Sequence, residues 1–174
     1  IAGYMLVGAC WLILKTDGAL QKKAVRWARQ ALLGTVAGIA VVSLATPLVS
    51  PRIFERWFDW PNVLLLAPVP LLTAGLVAAL YVQLQRLPLP KDRLSWLPFL
   101  TVVGIFVLCF VGLAYSFFPF IVPDQLTIVE AASAPESLII ILAGALVVLP
   151  VMLGYTALAY KIFWGKAPTD LQYH

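Results

Sequence analysis

The chain has 174 residues, of which 62% are hydrophobic and 11% are charged, against about 45–50% and 25% in soluble domains. One soluble core of this length cannot cover so much apolar surface, so lipid must cover part of it. The net charge of +4 lies in short basic clusters between apolar runs, which suits anionic lipid headgroups and argues against a nucleic-acid partner.

The first apolar run, residues 1–14, is at least half of a membrane span. It begins without a methionine and without the basic segment that opens a signal peptide. We therefore expect the chain to be the C-terminal part of a longer polypeptide, cut within a helix. Gly18 follows this run and is typical of a helix end.

Residues 19–30 have the pattern of a short amphipathic segment. Val25 and Trp27 are expected to meet the headgroup region, and the polar face consists of Lys22, Lys23, Arg26 and Arg29. The second span, residues 31–50, contains Gly34-x-x-x-Gly38, which we interpret as ordinary bundle packing. An interfacial connector follows, in which Trp57 and Trp60 suit the aromatic belt.

The third span, residues 62–84, contains Pro68 and Pro70. Two prolines remove two backbone donors, so they predict a kink or a local unwinding of the helix. Such breaks mark binding sites in some transporters, although they are more often purely structural. The fourth span, residues 96–117, is uncharged.

The loop before the last span carries acids and no bases. Within it, Thr127-x-x-Glu130 and Ser133-x-x-Glu136 have the spacing of capping boxes, which predicts a short surface helix and then the start of the final span. That span, residues 137–160, has 24 residues without a charge, enough to cross a hydrocarbon layer of about 30 Å.

Together these segments predict an all-α fold: a polytopic transmembrane helical bundle in one membrane domain, 1–174, with four complete spans plus one truncated N-terminal span. Ten of the twelve Lys and Arg residues lie in three alternate connecting segments, residues 15–30, 86–95 and 161–174. Because basic loops stay inside, we expect these loops and the C-terminus to be cytoplasmic.

The chain offers little reactive chemistry inside its spans. His174 is the only histidine and the last residue, Met5 and Met152 are isolated thioethers, and Cys10 and Cys109 lack any metal-site spacing. We therefore predict no catalytic residue, no metal ligand and no cofactor bound by this chain.

The hydroxyl groups in the spans are expected to bond the preceding turn or to bridge helices. One cluster lies on the last span after Pro150 and is the candidate lining of a lipid or quinone groove: Tyr155, Thr156 and Tyr160.

Three sequence blocks resemble subunit II of cytochrome bd-type quinol oxidases. The first block is GACWL at 8–12 with KTDGAL at 15–20. The second is FPFIVP at 118–123 with LTI at 126–128 and AAS at 131–133. The third is LP at 149–150 with YTA at 155–157, Tyr160 and FWGK at 163–166. Their order and spacing match the C-terminal half of that subunit. Trp164 stands where many members have arginine, which weakens any headgroup role for that position.

This resemblance implies a complex in the bacterial cytoplasmic (inner) membrane that oxidises quinol and reduces oxygen to water in the respiratory chain. In the family, haem b, haem d and the quinol-oxidising loop belong to subunit I, which would be the partner, together with lipids and quinone. Proton-path acids of subunit II lie in its N-terminal half, so no catalytic residue carries over to this chain. The alternatives are half of a secondary transporter, suggested by Pro68 and Pro70, and a scaffold or assembly protein.

Overall fold

The computed structural model describes residues 1–49, 51–60, 62–87, 94–122 and 125–166. Its elements in chain order are α1 (Ala2–Lys15), α2 (Gly18–Val49), α3 (Pro51–Phe58), α4 (Asn62–Leu66), α5 (Pro68–Arg86), α6 (Leu97–Phe117), β1 (Phe120–Val122), β2 (Leu126–Thr127) and α7 (Pro135–Ile162). Four of these helices, α2, α5, α6 and α7, are long and apolar enough to cross a membrane, and α1 is a shorter apolar helix. The predicted all-α transmembrane bundle is confirmed.

The chain turns between α1 and α2 where Gly18 predicted a helix end. Thr16 caps α1, because its backbone N–H and its hydroxyl both donate to Leu12 O at 3.0 and 2.7 Å. Gly18 then adopts a φ of +64°, a left-handed conformation that costs glycine little.

The amphipathic segment and the second span are not separate elements, because α2 runs unbroken over 32 residues, about 48 Å. No glycine or proline lies between Gly18 and Gly34 to end the first part. The buried stripe formed by Ala24, Ala28, Ala31 and Leu32 continues through the expected boundary, so packing holds both parts in one helix.

The unit that contains residues 1–118 packs α1 along α2 and α6, and α5 along α6 and α2. Its core consists of small and branched apolar side chains from all four helices, among them Leu6, Cys10, Ile13, Ala28, Leu32, Leu80, Leu84, Val102 and Ile105. A Cβ on Gly34 would lie 3.1 Å from the Cβ of Ala2, whereas nothing lies within 4 Å of one on Gly38. Only the first glycine of the predicted pair therefore permits a close helix contact.

Pro68 separates α4 from α5, because it has no N–H group to continue the helical hydrogen bonds. Ala67 keeps helical angles, its N–H donates to Val63 O at 2.9 Å, and its carbonyl accepts from Leu71 N–H at 3.3 Å. The proline break is thus an interruption of helical hydrogen bonding, without local unwinding.

Residues 119–165 form a second compact unit, which begins with the antiparallel pair β1 and β2. The Thr127–Glu130 capping box closes here: Thr127 N–H and Oγ1 donate to Glu130 Oε2 at 2.9 and 2.8 Å, and Glu130 N–H donates to Thr127 Oγ1 at 3.2 Å. The prediction that this box starts a surface helix is wrong. It closes a single turn, in which Ala131 N–H donates to Thr127 O.

The second predicted box, Ser133–Glu136, does not form. The N-cap of α7 is Ala134, without a side-chain hydrogen bond, and Pro135 is the first helical residue. Proline suits that position because its φ is already helical and its missing N–H needs no partner there. The helix therefore starts one residue too late for Ser133 to cap it.

Candidate functional site

Five serine and threonine hydroxyl groups in the membrane helices are bound to their own helix, as predicted. Each donates to the carbonyl four residues earlier at 2.7 to 2.9 Å, and the residues are Thr35, Thr46, Thr73, Thr101 and Ser116. Such bonds satisfy the hydroxyl group in a place where water is scarce. These hydroxyls are therefore structural.

Polar contacts between pairs of side chains also bridge helices. Gln83 Nε2 donates to Thr101 Oγ1 at 3.1 Å, joining α5 to α6, and Trp57 Nε1 donates to Ser116 Oγ at 2.9 Å, joining α3 to α6. Trp57, expected in the aromatic belt, thus has its indole N–H turned to a buried serine, while Trp60 is exposed. Gln83 is not among the residues predicted to bridge helices, although an amide within an apolar run is a signal for such a contact.

Side chains with N–H donors gather at the C-terminal ends of α1 and α5. Gln21 Nε2 donates to Ile13 O at 3.1 Å, and Lys166 Nζ donates to Thr16 O at 3.1 Å while pairing with Asp17. These donors satisfy or surround carbonyl groups that a helix end leaves without internal partners.

Arg29 belongs to this group. Its Nη2 and Nε donate to Leu84 O at 2.6 and 3.1 Å, so it caps α5 and is not a plain member of the polar face predicted for residues 19–30. Val25, expected at the headgroups, is only 4% exposed and packs in the core. Trp27 is half-exposed, as a residue at the interface would be. The environments of Arg29 and Val25 differ from the prediction for the same reason. Because α2 is continuous, one face of residues 19–30 packs against the other helices of the bundle.

The candidate groove residues lie on α7, a helix without a buried residue. Tyr155 is 73% and Tyr160 52% exposed. Thr156 and Tyr160 are four residues apart and share one face, whereas Tyr155 lies about 100° away around the helix. The part of the chain that the structure describes does not enclose them, so a groove there stays a prediction.

The possible metal ligands among the described residues do not form a cluster. No three His, Cys, Asp or Glu side chains there could share a metal ion, and His174 lies outside the described residues. Haem iron takes His, Cys, Met or Tyr as axial ligands. Met5 and Met152 are each mostly exposed, so neither sits in a closed haem pocket formed by these residues. Where the haems are bound stays a prediction.

Residues 1–163 match the family described as cytochrome bd terminal oxidase subunit II. The chain belongs to that family. The resemblance drawn from the three sequence blocks is thereby confirmed, and the match includes every helix and strand described above. The curated proteins contain no match to this chain.

Membership of the cytochrome bd subunit II family makes this chain part of a haem-containing terminal oxidase, an oxidoreductase complex that includes another subunit. Its four long apolar helices make it a multi-pass membrane protein. The transporter alternative rested on Pro68 and Pro70, and the family match favours the oxidase over it. Pro68 has a structural account in the break between α4 and α5.

Proposed function

We propose that this chain is a non-haem part of a quinol oxidase, which supports the oxidation of quinol and the reduction of oxygen to water. The observation that carries the proposal is the family match over residues 1–163. Haem b and haem d are then held by subunit I, where electrons pass from quinol to oxygen.

The role of this chain in the complex is to complete the helical bundle beside subunit I. Helix α7 supports that role, because it is apolar around its whole circumference and buries nothing within the described chain. A helix that is hydrophobic all round is normally covered by lipid or by neighbouring helices. We propose that subunit I covers one side and that lipid covers the rest.

Quinone or lipid would occupy a groove beside Tyr155, Thr156 and Tyr160. The exposed phenol groups support this placement, because a tyrosine has an apolar ring for the isoprenoid or acyl chain and a hydroxyl that can donate to a quinone carbonyl. Replacing both tyrosines with phenylalanine should raise the KM for quinol and leave the assembly and the haem spectra unchanged. An unchanged KM would remove the quinone role and leave the oxidase assignment intact.

We further propose that the complex lies in the bacterial cytoplasmic membrane with its basic segments inside. The charge distribution supports this orientation, since ten of twelve basic residues occupy alternate connecting segments. With Cys10 and Cys109 replaced by alanine, a cysteine placed at Lys23 should react with an impermeant maleimide only after the membrane is opened. Labelling in intact cells would reverse the orientation.

The oxidase assignment is tested with the full-length subunit, tagged and purified with whatever assembles on it. We expect a second subunit with reduced b- and d-type haem absorption bands, and oxygen uptake driven by quinol that is lost when either subunit is missing. Purification without haem, combined with uptake of a solute into vesicles, would favour the transporter alternative.

A further inference from the structure

The first third of α2 carries a cationic face, formed by Lys22, Lys23 and Arg26. At about 100° per residue these three side chains fall within one arc of about 100°, opposite the buried stripe that includes Ala24 and Ala28. All three are exposed, and within the described residues none of them forms an ion pair. The bundle therefore leaves this face open.

The cationic face is electrostatically unfavourable within the chain. Lys22 and Arg26 are four residues apart and Lys23 and Arg26 three apart, which are the spacings at which like charges on a helix repel. The first turn of α2 has no acidic residue, and the nearest acid in the sequence, Asp17, is already paired with Lys166. An anion from outside the chain would relieve this repulsion.

The same side of α2 changes from cationic to apolar along the helix. Trp27 is half-exposed at the edge of the arc, and Leu33, which lies in line with Lys22 and Arg26, is exposed. Lys22 and Leu33 are about 16 Å apart along the axis. Tryptophan in membrane proteins prefers the level of the headgroups, so the cationic face lies at the level of the phosphates and Leu33 at the level of the acyl chains.

We propose that the cationic face binds an anionic phospholipid, with its phosphate at Lys22, Lys23 and Arg26 and its acyl chain along the exposed aliphatic surface below Trp27. A lipid fits both halves of the surface, because it joins a negative head to an apolar tail. A soluble acidic protein would neutralise the basic half only. Arg29 takes no part, since its guanidinium group caps α5 at Leu84 O.

The test uses the assembled oxidase with full-length subunits, purified in detergent and titrated with phosphatidylglycerol or phosphatidylcholine in native mass spectrometry. In the triple variant Lys22→Gln, Lys23→Gln, Arg26→Gln we expect one phosphatidylglycerol fewer per complex. The preference of that site for the anionic lipid should fall about five-fold per charge removed, roughly 100-fold in total. Phosphatidylcholine binding should not change.

The matched control is Lys22→Arg, Lys23→Arg, Arg26→Lys, which keeps the three charges and should keep the bound lipid. Soluble glycerol phosphate should not displace it, since it lacks the acyl chain. Unchanged phosphatidylglycerol binding in the neutral triple variant would overturn the proposal. So would loss of a subunit or of another polypeptide from that variant, because the face would then be a protein contact. If the triple variant does not accumulate, Arg26→Gln alone should still weaken binding about five-fold.

Discussion

Helices α6 and α7 are almost alike in composition and differ in what surrounds them. Both are long and highly apolar, and both qualify as membrane spans. Helix α6 buries five residues, Pro98, Thr101, Val102, Ile105 and Ser116, whereas α7 buries none. Hydropathy therefore decides that a segment enters lipid, but it does not decide which neighbour the segment meets.

The difference comes from a few positions where another helix approaches α6 closely. A Cβ on Gly104 would lie 3.2 Å from Leu76 Cδ1, and one on Gly112 would lie 3.1 Å from Val69 Cγ1. Gly144 and Gly154 of α7 have nothing within 4 Å. Small residues permit close packing in a membrane, but they produce it only where a partner helix is present.

The largest effect is expected from a charge at the centre of α7. Leu149→Lys places an ammonium group at mid-membrane, at a cost of about 2.5–3.5 kcal/mol on insertion scales, and Gly144→Lys should act in the same way. We expect little assembled oxidase, measured as tagged subunit in membranes and as b- and d-type haem absorption. Ile162→Lys is the control, because a lysine at the helix end can reach the interface. Normal assembly and respiration of Leu149→Lys would show that this turn does not lie in hydrocarbon.

A second comparison places the same side chain on both helices. Gly112→Leu forces a side chain against Val69, whose branched Cβ restricts its rotation, and overpacking of this kind costs about 1–3 kcal/mol. The Cβ of Gly144→Leu has no atom of the described residues within 4 Å, so this variant should change stability much less. The measurement is the unfolding midpoint of the purified complex. Equal losses would mean that another subunit packs closely on α7 at Gly144.

A smaller effect separates two arginines on α2. Arg29→Gln removes a charged donor from Leu84 O, and because the side chain is partly exposed we expect a loss of about 1 kcal/mol. Arg26→Gln removes an equal charge that has no partner within the described chain and is repelled by Lys22 and Lys23, so it should not destabilise the protein in detergent without anionic lipid. Hydrogen exchange at the C-terminal end of α5 would report the difference. Faster exchange in both variants, or in neither, would contradict the capping role of Arg29.

The sequence predicted well those features that depend on lipid alone. The span expected at 96–117 is Leu97–Phe117, and the one expected at 137–160 is Pro135–Ile162, because a charge-free run of this length has few other places to go. The end of α1 near Gly18 could also be predicted from the local sequence, since it depends on the backbone freedom of one residue.

Features that depend on a neighbour could not be predicted in this way. The sequence pattern around Arg29 predicts a residue that contacts lipid headgroups. In the structure, α5 places the carbonyl group of Leu84 beside it. The sequence pattern around Val25 predicts an interfacial residue, but the continuous α2 places this side chain in the core. The candidate groove at Tyr155 and Tyr160 is the extreme case, because α7 has no buried residue in the described chain.

The smallest expected effect concerns the turn before α7, where the interaction is purely local. The N–H and then the hydroxyl of Thr127 donate to the Glu130 carboxylate, and these bonds lower its pKa below the ordinary value. The carboxylate form therefore stabilises the turn fully above the ordinary pKa of about 4.3, and this stabilisation is lost as the pH falls through the lower pKa of the folded state. Hydrogen exchange of a peptide covering residues 125–134, corrected for its intrinsic rate, should show protection that is lost as the pH falls below about 4.3. Glu130→Gln cannot titrate, so it should abolish this pH dependence. If the pH dependence of exchange persisted in Glu130→Gln, a group other than Glu130 would control the turn. The conformation of this loop would then not be determined by the local Thr127–Glu130 interaction, and the loop would no longer contrast with the helices, whose packing depends on their neighbours.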